Sequence, residues 1–313
     1  MTKILTGIKV SAPATVANLN CGTDSLAIAL KSPADEIIIY KFGPAGIRIR
    51  SISGDKKKLS TKIAENTAGL AALSVWRFLV EKHGVDSDIG IELEIRKKIH
   101  VDSGLGSNEA LAVAGGMAVN EFFGGLLTKR ELLPLLAAAE YGVLVAVSLP
   151  CLAASLLGSC MLVRDADSCD IHRITLPRGL YFAMISPQVN IIEQIPAQVS
   201  IQAATKQAGN LAALILGFNN TDFNLISRAM EDSIMEHHIS GSIPYFEELK
   251  TVAKNYGALS FGIADKGPTL FAFCNSSVKA EVCLSAMESI YSSNKIKYNA
   301  WFSAVNMEGA ELS

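Results

Sequence analysis

The segment of this chain with the clearest chemical potential is a short turn at residues 103–108, which reads Ser-Gly-Leu-Gly-Ser-Asn. It lies between a strand-like segment and a helix-like segment. Glycines at such a junction let the backbone turn tightly, so that successive amide N–H groups point at one spot. The N-terminus of the following helix adds unpaired donors and a partial positive charge, which suits a phosphate group. We therefore expect this turn, called the phosphate loop below, to bind phosphate through Ser103, Gly104, Leu105, Gly106, Ser107 and Asn108.

Two other segments combine small residues with polar side chains. The opening motif, residues 13–26, contains Asn18 and Asp24, and the third motif, residues 257–269, ends in Asp-Lys-Gly-Pro-Thr. Glu140 lies in a helix-like segment. Each of these three side chains also has a structural interpretation, because Asn18 fits a turn cap, Asp24 a helix N-cap and Glu140 a solvated helix position. Local sequence leaves both interpretations open.

In their order and spacing, these three segments resemble the motifs of the GHMP kinase family, which includes galactokinase, homoserine kinase, mevalonate kinase and phosphomevalonate kinase. Within that family the opening motif, Pro-Ala-Thr-Val-Ala-Asn-Leu at its start, is most similar to that of homoserine kinase. Residues 65–69 and 306–309 share this likeness. The resemblance runs across nearly the whole chain and requires no large insertion.

The resemblance implies an α+β fold of two domains, a ribosomal-protein-S5-like nucleotide-binding domain over residues 1–165 and a ferredoxin-like domain over residues 166–313. It implies that ATP lies between the phosphate loop and Asn66, with the substrate in the cleft between the domains. The implied reaction transfers the γ-phosphoryl group of ATP to the hydroxyl of L-homoserine, a step in threonine biosynthesis. Such transfer depends mostly on positioning and on charge neutralisation by Mg²⁺ and cationic side chains.

The same resemblance implies roles for individual residues. Asn18 and Asp24 match positions near the substrate, where a carboxylate can bind an ammonium group, and Asn66 matches a nucleotide contact. Glu140 matches the acidic residue that helps to hold magnesium, together with the Ser107 hydroxyl. We therefore expect ATP and Mg²⁺ as cofactors, and Asn18, Asp24 and Glu140 as the catalytic set.

The phosphate loop departs from the family pattern. His100 stands where a proline is usual, and Asn108 and Glu109 replace a serine and an alanine. Glu109 and Asp102 bring carboxylates to an anion site. A helix N-terminus tolerates a glutamate, but the same charge would repel a triphosphate by about 1 kcal/mol if exposed, and by several times more if desolvated.

The substrate side departs further. Cys151 aligns within a stretch that usually reads His-Ala-Asp-Asn, and Ile239 and Ala197 fall near positions where arginines are usual. Arginines there would bind a substrate carboxylate and neutralise the transferring phosphate, which isoleucine and alanine cannot do. Two hypotheses stay open: an active small-molecule kinase, or a non-catalytic homologue that binds a metabolite or a partner. A cation elsewhere would favour catalysis, and Arg130, Arg178, Arg228 and Lys266 are the candidates for it.

The elements that must position these residues follow from hydrophobic periodicity. Residues 89–95 alternate apolar and charged side chains, which predicts a half-buried strand directly before the phosphate loop. Thr128 and Glu131 have the spacing of a capping box. The other predicted elements are strands at 8–12, 36–41, 47–52, 160–163, 181–186, 271–274 and 301–305, and helices at 66–82, 108–122, 209–216, 223–233, 245–256 and 278–291.

Composition excludes several classes of protein. The formal net charge is −2 and the isoelectric point about 6.2, which argues against nucleic-acid binding, and the lysines at 56–58 fit a solvated turn. Residues 143–163 carry no charge, but Pro150 interrupts them, so we expect no membrane span. The six cysteines lack metal-site spacing. We expect free thiols, a cytoplasmic location and, by family likeness, a homodimer.

Overall fold

The computed structural model describes residues 7–140, 148–191 and 196–313, and of residue 140 it describes the backbone alone. The first group of elements is β1 (Ile8–Asn18), β2 (Gly22–Phe42), β3 (Gly46–Ser53), α1 (Thr67–His83), β4 (Gly90–Arg96), α2 (Ser107–Phe122), α3 (Lys129–Glu140), α4 (Leu149–Leu157), β5 (Cys160–Asp165) and β6 (Asp170–Ile174). The second group is β7 (Tyr181–Pro187), α5 (Ile201–Asn220), α6 (Phe223–Ala229), α7 (Glu236–Ile239), α8 (Phe246–Asn255), β8 (Ser260–Ile263), β9 (Leu270–Cys274), α9 (Ser277–Ser293), β10 (Tyr298–Ala304) and β11 (Glu311–Leu312).

The first sheet has the strand order β11-β1-β2-β4-β3, and β5 pairs with both β2 and β6. The β3 and β4 strands are parallel, because α1 carries the chain from one to the other. Helices α1 and α2 pack on each other, and α2 also packs on β1 and β2. This arrangement places the N-terminus of α2 next to the end of β4, where the phosphate loop lies.

The second sheet is antiparallel, with the order β10-β7-β9-β8. In chain order the unit runs strand, helices, two strands, helix, strand, which is the ferredoxin-like βαββαβ pattern. Helix α8 packs on β8, and α9 packs on β7, β9 and β10. The α+β architecture predicted from the sequence is therefore confirmed in both halves.

One face of the second sheet shares an apolar core with the first sheet, and its other face packs in a second core with α8 and α9. Phe182, Met184, Phe271 and Phe273 of the second sheet belong to the same buried cluster as the residues of β1, β2 and α2. The division of the chain between residues 165 and 166 stays a prediction. The β6 strand, which follows residue 165, pairs with β5 in the first sheet.

Most predicted elements are present, and two corrections concern helices. The helix expected at 209–216 begins at Ile201, because the Ser200 hydroxyl caps it by accepting the Ala203 N–H at 3.1 Å. The helix expected to reach residue 233 ends at Ala229. No helix in the described ranges has both the length and the apolar content to cross a membrane. Part of the uncharged stretch, residues 143–147, lies outside the described residues.

The capping box predicted before α3 is confirmed. The Thr128 hydroxyl accepts the Glu131 N–H at 3.3 Å, and the Glu131 carboxylate accepts the Thr128 N–H at 2.8 Å.

We expect Thr128→Ala to lower the free energy of unfolding by about 1 kcal/mol, because the N-terminus of α3 loses its side-chain acceptor. Urea unfolding followed by circular dichroism measures this change, with Thr128→Ser as the matched control that keeps the hydroxyl. Equal stability of the alanine and serine variants would show that the cap contributes nothing.

Candidate active site

Segments far apart in the sequence meet at the N-terminus of α2. Thr15 of the opening motif donates its backbone N–H to the carbonyl oxygen of Leu105 at 3.0 Å. The Thr269 hydroxyl of the third motif donates to the carbonyl oxygen of Ser103 at 2.6 Å. The opening motif and the third motif therefore hold the phosphate loop between them.

Two glycines allow this close approach. Gly104 has a φ angle of 74° and Gly106 a φ angle of 65°, both in the left-handed region that favours glycine. A Cβ atom on Gly104 would lie 2.7 Å from the carbonyl oxygens of Ala264 and Gly267. A Cβ atom on Gly106 would lie 2.2 Å from Oγ1 of Thr15. The loop conformation and its packing both require glycine at these two positions.

The loop leads directly into α2, where the Glu109 N–H of the first turn is hydrogen-bonded to the Glu109 carboxyl. Gly106 is the N-cap residue and supplies no side-chain acceptor to the first turn. Ser107 is the first helical residue and is buried, whereas Asn108 is half-buried. The unpaired N–H groups of a helix N-terminus attract an anion. This geometry fits the phosphate-binding role predicted for the loop.

A buried ion pair lies directly beneath the loop. The Lys97 ammonium contacts the Asp35 carboxylate, and both side chains are fully buried. Lys97 Nζ also donates to Ser107 Oγ at 2.7 Å. Burial lowers the pKa of Lys97 and raises the pKa of Asp35, while the attraction between the two charges opposes both shifts. Lys97 is the cation that the sequence analysis missed.

Glu109 places a second ionisable group in this region. Its carboxyl is buried, and burial raises its pKa to about 7, with the nearby Asp265 carboxylate adding to the rise. Hydrogen bonds from the backbone N–H groups of Glu109 and Ser148 and the charge of Lys97 act in the opposite direction. By contrast, Asp102 is exposed and forms an ion pair with Lys58 at 3.0 Å. The unfavourable charge at the start of α2 therefore comes from Glu109 and the nearby Asp265, whereas Asp102 is paired with Lys58.

Asn18 and Asp24 lie together at the end of the opening motif. The Asn18 side chain donates to the carbonyl oxygen of Asp265 at 3.2 Å and accepts the Asp24 N–H at 3.1 Å. Asn18 thus supports a turn and also ties the opening motif to the third motif. Asp24 lies within β2 at a φ angle of 53°, with an exposed side chain. The alternative interpretation of Asp24 as a helix N-cap was wrong, and its carboxylate is accessible to a ligand.

Three predicted nucleotide-site residues are occupied by structural contacts. The Asn66 side chain caps α1, accepting the Gly69 N–H at 3.2 Å and donating to the Ser60 carbonyl oxygen at 2.8 Å. The Ser103 hydroxyl donates to the carbonyl oxygen of His100 at 2.7 Å. The Leu105 side chain is buried in the core. A direct nucleotide contact by Asn66 stays a prediction.

A cavity of about 330 Å³ opens beside the phosphate loop. Lys56, Lys58, His100 and Asn190 are among the residues that line it, together with Ser103. Burial and the nearby lysines lower the pKa of His100. The lysine turn predicted to be simply solvated therefore brings positive charge to the wall of this cavity. Such charge complements an anionic ligand.

Two of the cations proposed from sequence line other cavities, whereas Lys266 lies in the third motif, which packs against Gly104 of the phosphate loop. Arg130 lines a separate cavity between α3 and the β5–β6 hairpin, and Arg228 lines a cavity next to α8.

The side chain of Glu140 lies outside the described residues, so its predicted magnesium role stays a prediction. Among the residues that are described, no group of three or more His, Cys, Asp or Glu side chains is arranged to hold a metal ion.

Comparison with known proteins agrees with this arrangement. The GHMP kinases N terminal domain matches residues 71–158, and the GHMP kinases C terminal domain matches residues 211–293. Homoserine kinase of Chloroherpeton thalassium is 32% identical over 311 residues, which cover 96% of this chain and 98% of that protein. The chain belongs to the GHMP kinase family.

Solved structures of GHMP kinases have the same fold. The crystal structure of homoserine kinase from Cytophaga hutchinsonii superposes with a TM-score of 0.93 at 34% identity, covering 100% of this chain and 99% of the other. L. major mevalonate kinase, solved in complex with R-mevalonate, has a TM-score of 0.69 at 14% identity, covering 97% of this chain and 99% of that chain. The second likeness shows the fold alone. The family resemblance seen in the sequence, with homoserine kinase as the most similar member, is confirmed.

The departures from the GHMP kinase pattern have different structural settings. Ile239 is 1% exposed within the core that α8 and α9 form on the second sheet, so this position supplies no charge to a substrate. Cys151 is also 1% exposed, and burial raises the pKa of its thiol far above the ordinary range. Ala197 is exposed. A substrate carboxylate would need cations other than those of the usual GHMP pattern.

Proposed function

We propose that this chain transfers the γ-phosphoryl group of ATP to the hydroxyl of L-homoserine. The observation that carries the proposal is the similarity, over nearly the whole chain, to proteins named homoserine kinase. The phosphate loop gives that similarity a chemical basis, because it combines glycines at positive φ with an uncapped helix N-terminus. The proposal includes a step of threonine biosynthesis, carried out in the cytoplasm by a homodimer.

In this proposal the phosphates of ATP bind the amide groups at the start of α2. The loop fits a phosphate, because its two glycines carry no side chain that would cover the backbone. A Cβ atom at either glycine would collide with neighbouring segments. When bound, Mg²⁺ would neutralise part of the phosphate charge. Glu140 is the residue proposed to hold it. Ser107 keeps one free lone pair after accepting the Lys97 hydrogen bond. Lys56 and Lys58 provide positive charge in the adjoining cavity.

The substrate end of the proposal rests on Asp24 and Asn18. The exposed Asp24 carboxylate would bind the ammonium group of homoserine, while Asn18 fixes the backbone that carries it.

The proposal is tested by ADP release in the presence of L-homoserine, L-serine and L-2-aminobutyrate. We expect turnover on the order of 1 s⁻¹ with homoserine, the range of small kinases. We expect far less with serine, whose hydroxyl is one carbon closer to the ammonium group. No release above background is expected with aminobutyrate, which lacks the hydroxyl. Tight binding of Mg-ATP without turnover on homoserine would instead support a non-catalytic homologue.

A variant at Asp24 separates substrate binding from nucleotide binding. We expect Asp24→Asn to raise the KM for homoserine by about 30-fold through loss of a charge-assisted hydrogen bond of about 2 kcal/mol, while the KM for ATP stays unchanged. Steady-state kinetics with each substrate varied in turn measures both constants. Asp88→Asn, at an exposed position, is the matched control. An unchanged KM for homoserine in the Asp24 variant would remove this residue from the site.

A further inference from the structure

Lys97 is buried below the phosphate loop, and its surroundings fix it tightly. Its backbone N–H donates to the carbonyl oxygen of Ser53 at 2.8 Å. Its carbonyl oxygen packs against Gly54, where a Cβ atom would lie 2.1 Å away. Its ammonium contacts Asp35, which also accepts the backbone N–H groups of Lys98 at 2.7 Å and Ile99 at 2.9 Å. These three donors to one carboxylate favour its charged form and oppose the rise in pKa that burial causes at Asp35.

The ammonium points from this ion pair to Ser107. It donates to Ser107 Oγ at 2.7 Å and approaches the Ser107 carbonyl oxygen at 3.3 Å. A serine hydroxyl has one proton and two lone pairs, so accepting the Lys97 hydrogen bond leaves the proton free to point elsewhere. The hydroxyl can then donate its proton to a group bound on the other side of the loop. A hydroxyl fixed in this way is a donor for a phosphate oxygen.

We propose that Lys97, held by Asp35, is a positioning residue that fixes the Ser107 hydroxyl as a hydrogen-bond donor to a bound phosphate group. The inference rests on the proposed function, because it assumes that the loop binds the phosphates of a nucleotide. It uses the Ser107 proton for the phosphate and leaves the second lone pair of that oxygen for the proposed Mg²⁺. The Lys97–Asp35 pair carries no net charge, so its contribution is the orientation of the Ser107 hydroxyl.

The test is a double-mutant cycle on nucleotide affinity, with Mg-ADP as the titrant in calorimetry. The variants are Lys97→Met, Ser107→Ala and the two combined. We expect Ser107→Ala to weaken binding about tenfold, the value of one charge-assisted hydrogen bond. We expect Lys97→Met to weaken binding at least as much when Ser107 is present, and less than threefold when residue 107 is alanine. A purely structural role would give the same loss in both backgrounds, which would overturn the proposal.

Lys97→Met leaves Asp35 buried without its partner, so this variant can fail to fold. The same cycle is then run with Asp35→Asn in every member, because asparagine keeps an oxygen for the two backbone N–H groups without a buried charge. The coupling between residues 97 and 107 is expected to persist in that background. Failure of the unmodified protein to bind Mg-ADP would contradict the proposed function itself. Binding by the unmodified protein without coupling would overturn the Lys97 assignment alone.

Discussion

Gly104→Ala is expected to weaken Mg-ATP binding by about 100-fold. The added Cβ atom would lie 2.7 Å from the carbonyl oxygens of Ala264 and Gly267, which are backbone atoms and cannot rotate away. The loop must therefore move from the third motif, and misalignment of one or two hydrogen bonds to a charged phosphate costs about 3 kcal/mol, which corresponds to that factor. The φ angle of 74° adds strain of about 1 kcal/mol for a residue with a Cβ atom.

Calorimetric titration of Mg-ATP into the variant measures this loss, and a thermal melt checks that the variant is folded. Gly209→Ala is the matched control, since Gly209 lies within α5 with no atom near its Cβ position. That control is expected to bind Mg-ATP normally and to gain up to about 1 kcal/mol of stability from higher helix propensity. Normal Mg-ATP affinity in a folded Gly104→Ala protein would show that the loop is not the phosphate site.

Glu109→Gln is expected to tighten Mg-ATP binding at pH 8 by tenfold or more. The buried carboxyl has a pKa of about 7, so it is mostly charged at that pH. Two like unit charges about 5 Å apart repel each other by about 3 kcal/mol at an effective dielectric constant of 20, so a charged Glu109 would oppose a phosphate bound at the start of α2. Glutamine keeps the shape and removes the charge. The difference between the two proteins should shrink as the pH falls below 7, because Glu109 then becomes neutral.

The same carboxyl links stability to pH. Its pKa is higher in the folded protein than its ordinary value of 4.5, so the folded state holds the proton more tightly. The stabilisation is complete below pH 4.5 and is lost as the pH rises through about 7, an effect of about 3 kcal/mol.

Urea unfolding of the unmodified protein and of Glu109→Gln from pH 4.5 to pH 8 measures this difference. The loss with rising pH is expected to be smaller in the glutamine variant. Asp102→Asn is the matched control, because Asp102 is an exposed carboxylate near the same loop. Parallel stability profiles for all three proteins, together with unchanged Mg-ATP affinity, would show that Glu109 is not buried beside the phosphate site.

Much of the fold could be predicted from sequence because its signals are local. The alternation before the loop predicted β4, the Thr128 and Glu131 spacing predicted the start of α3, and the glycines predicted the tight turn before α2. The meeting of the three motifs followed from resemblance and not from local pattern. The pairing of β6 with β5 and the position of the lysine turn beside the cavity depend on tertiary packing, which leaves little trace in a short window of sequence.

Lys97 and Asp35 were missed although a signal was present. Ile91, Leu93 and Ile95 lie on the buried face of β4, and the same two-residue period places Lys97 on that face. Asp35 precedes Ile37 and Ile39 in the same way on β2, and Ile37 is the register partner of Ile95. Extending the alternation by one step, to Lys97 just past β4 and to Asp35 in β2, would have predicted that these two side chains are buried opposite each other.

Burial of Glu109 had no comparable signal. Its place in the first turn of α2 suggested an exposed or half-exposed carboxyl, as is usual at a helix N-terminus. Its burial arises from the approach of Ser148, at the start of α4, and of Asp265, in the third motif. Both contacts join segments more than 35 positions apart, so the raised pKa could be found only from the three-dimensional arrangement.

The central claim is that phosphate passes from ATP to the homoserine hydroxyl at this loop, and phosphorus NMR of the reaction mixture tests it most directly. With the protein, Mg-ATP and L-homoserine present, we predict a new phosphomonoester resonance that grows as the γ-phosphate resonance declines. Mass spectrometry should assign the product as O-phosphohomoserine, and Gly104→Ala should form it at least about 100 times more slowly. An undiminished γ-phosphate resonance, or its conversion to inorganic phosphate alone, would contradict the account.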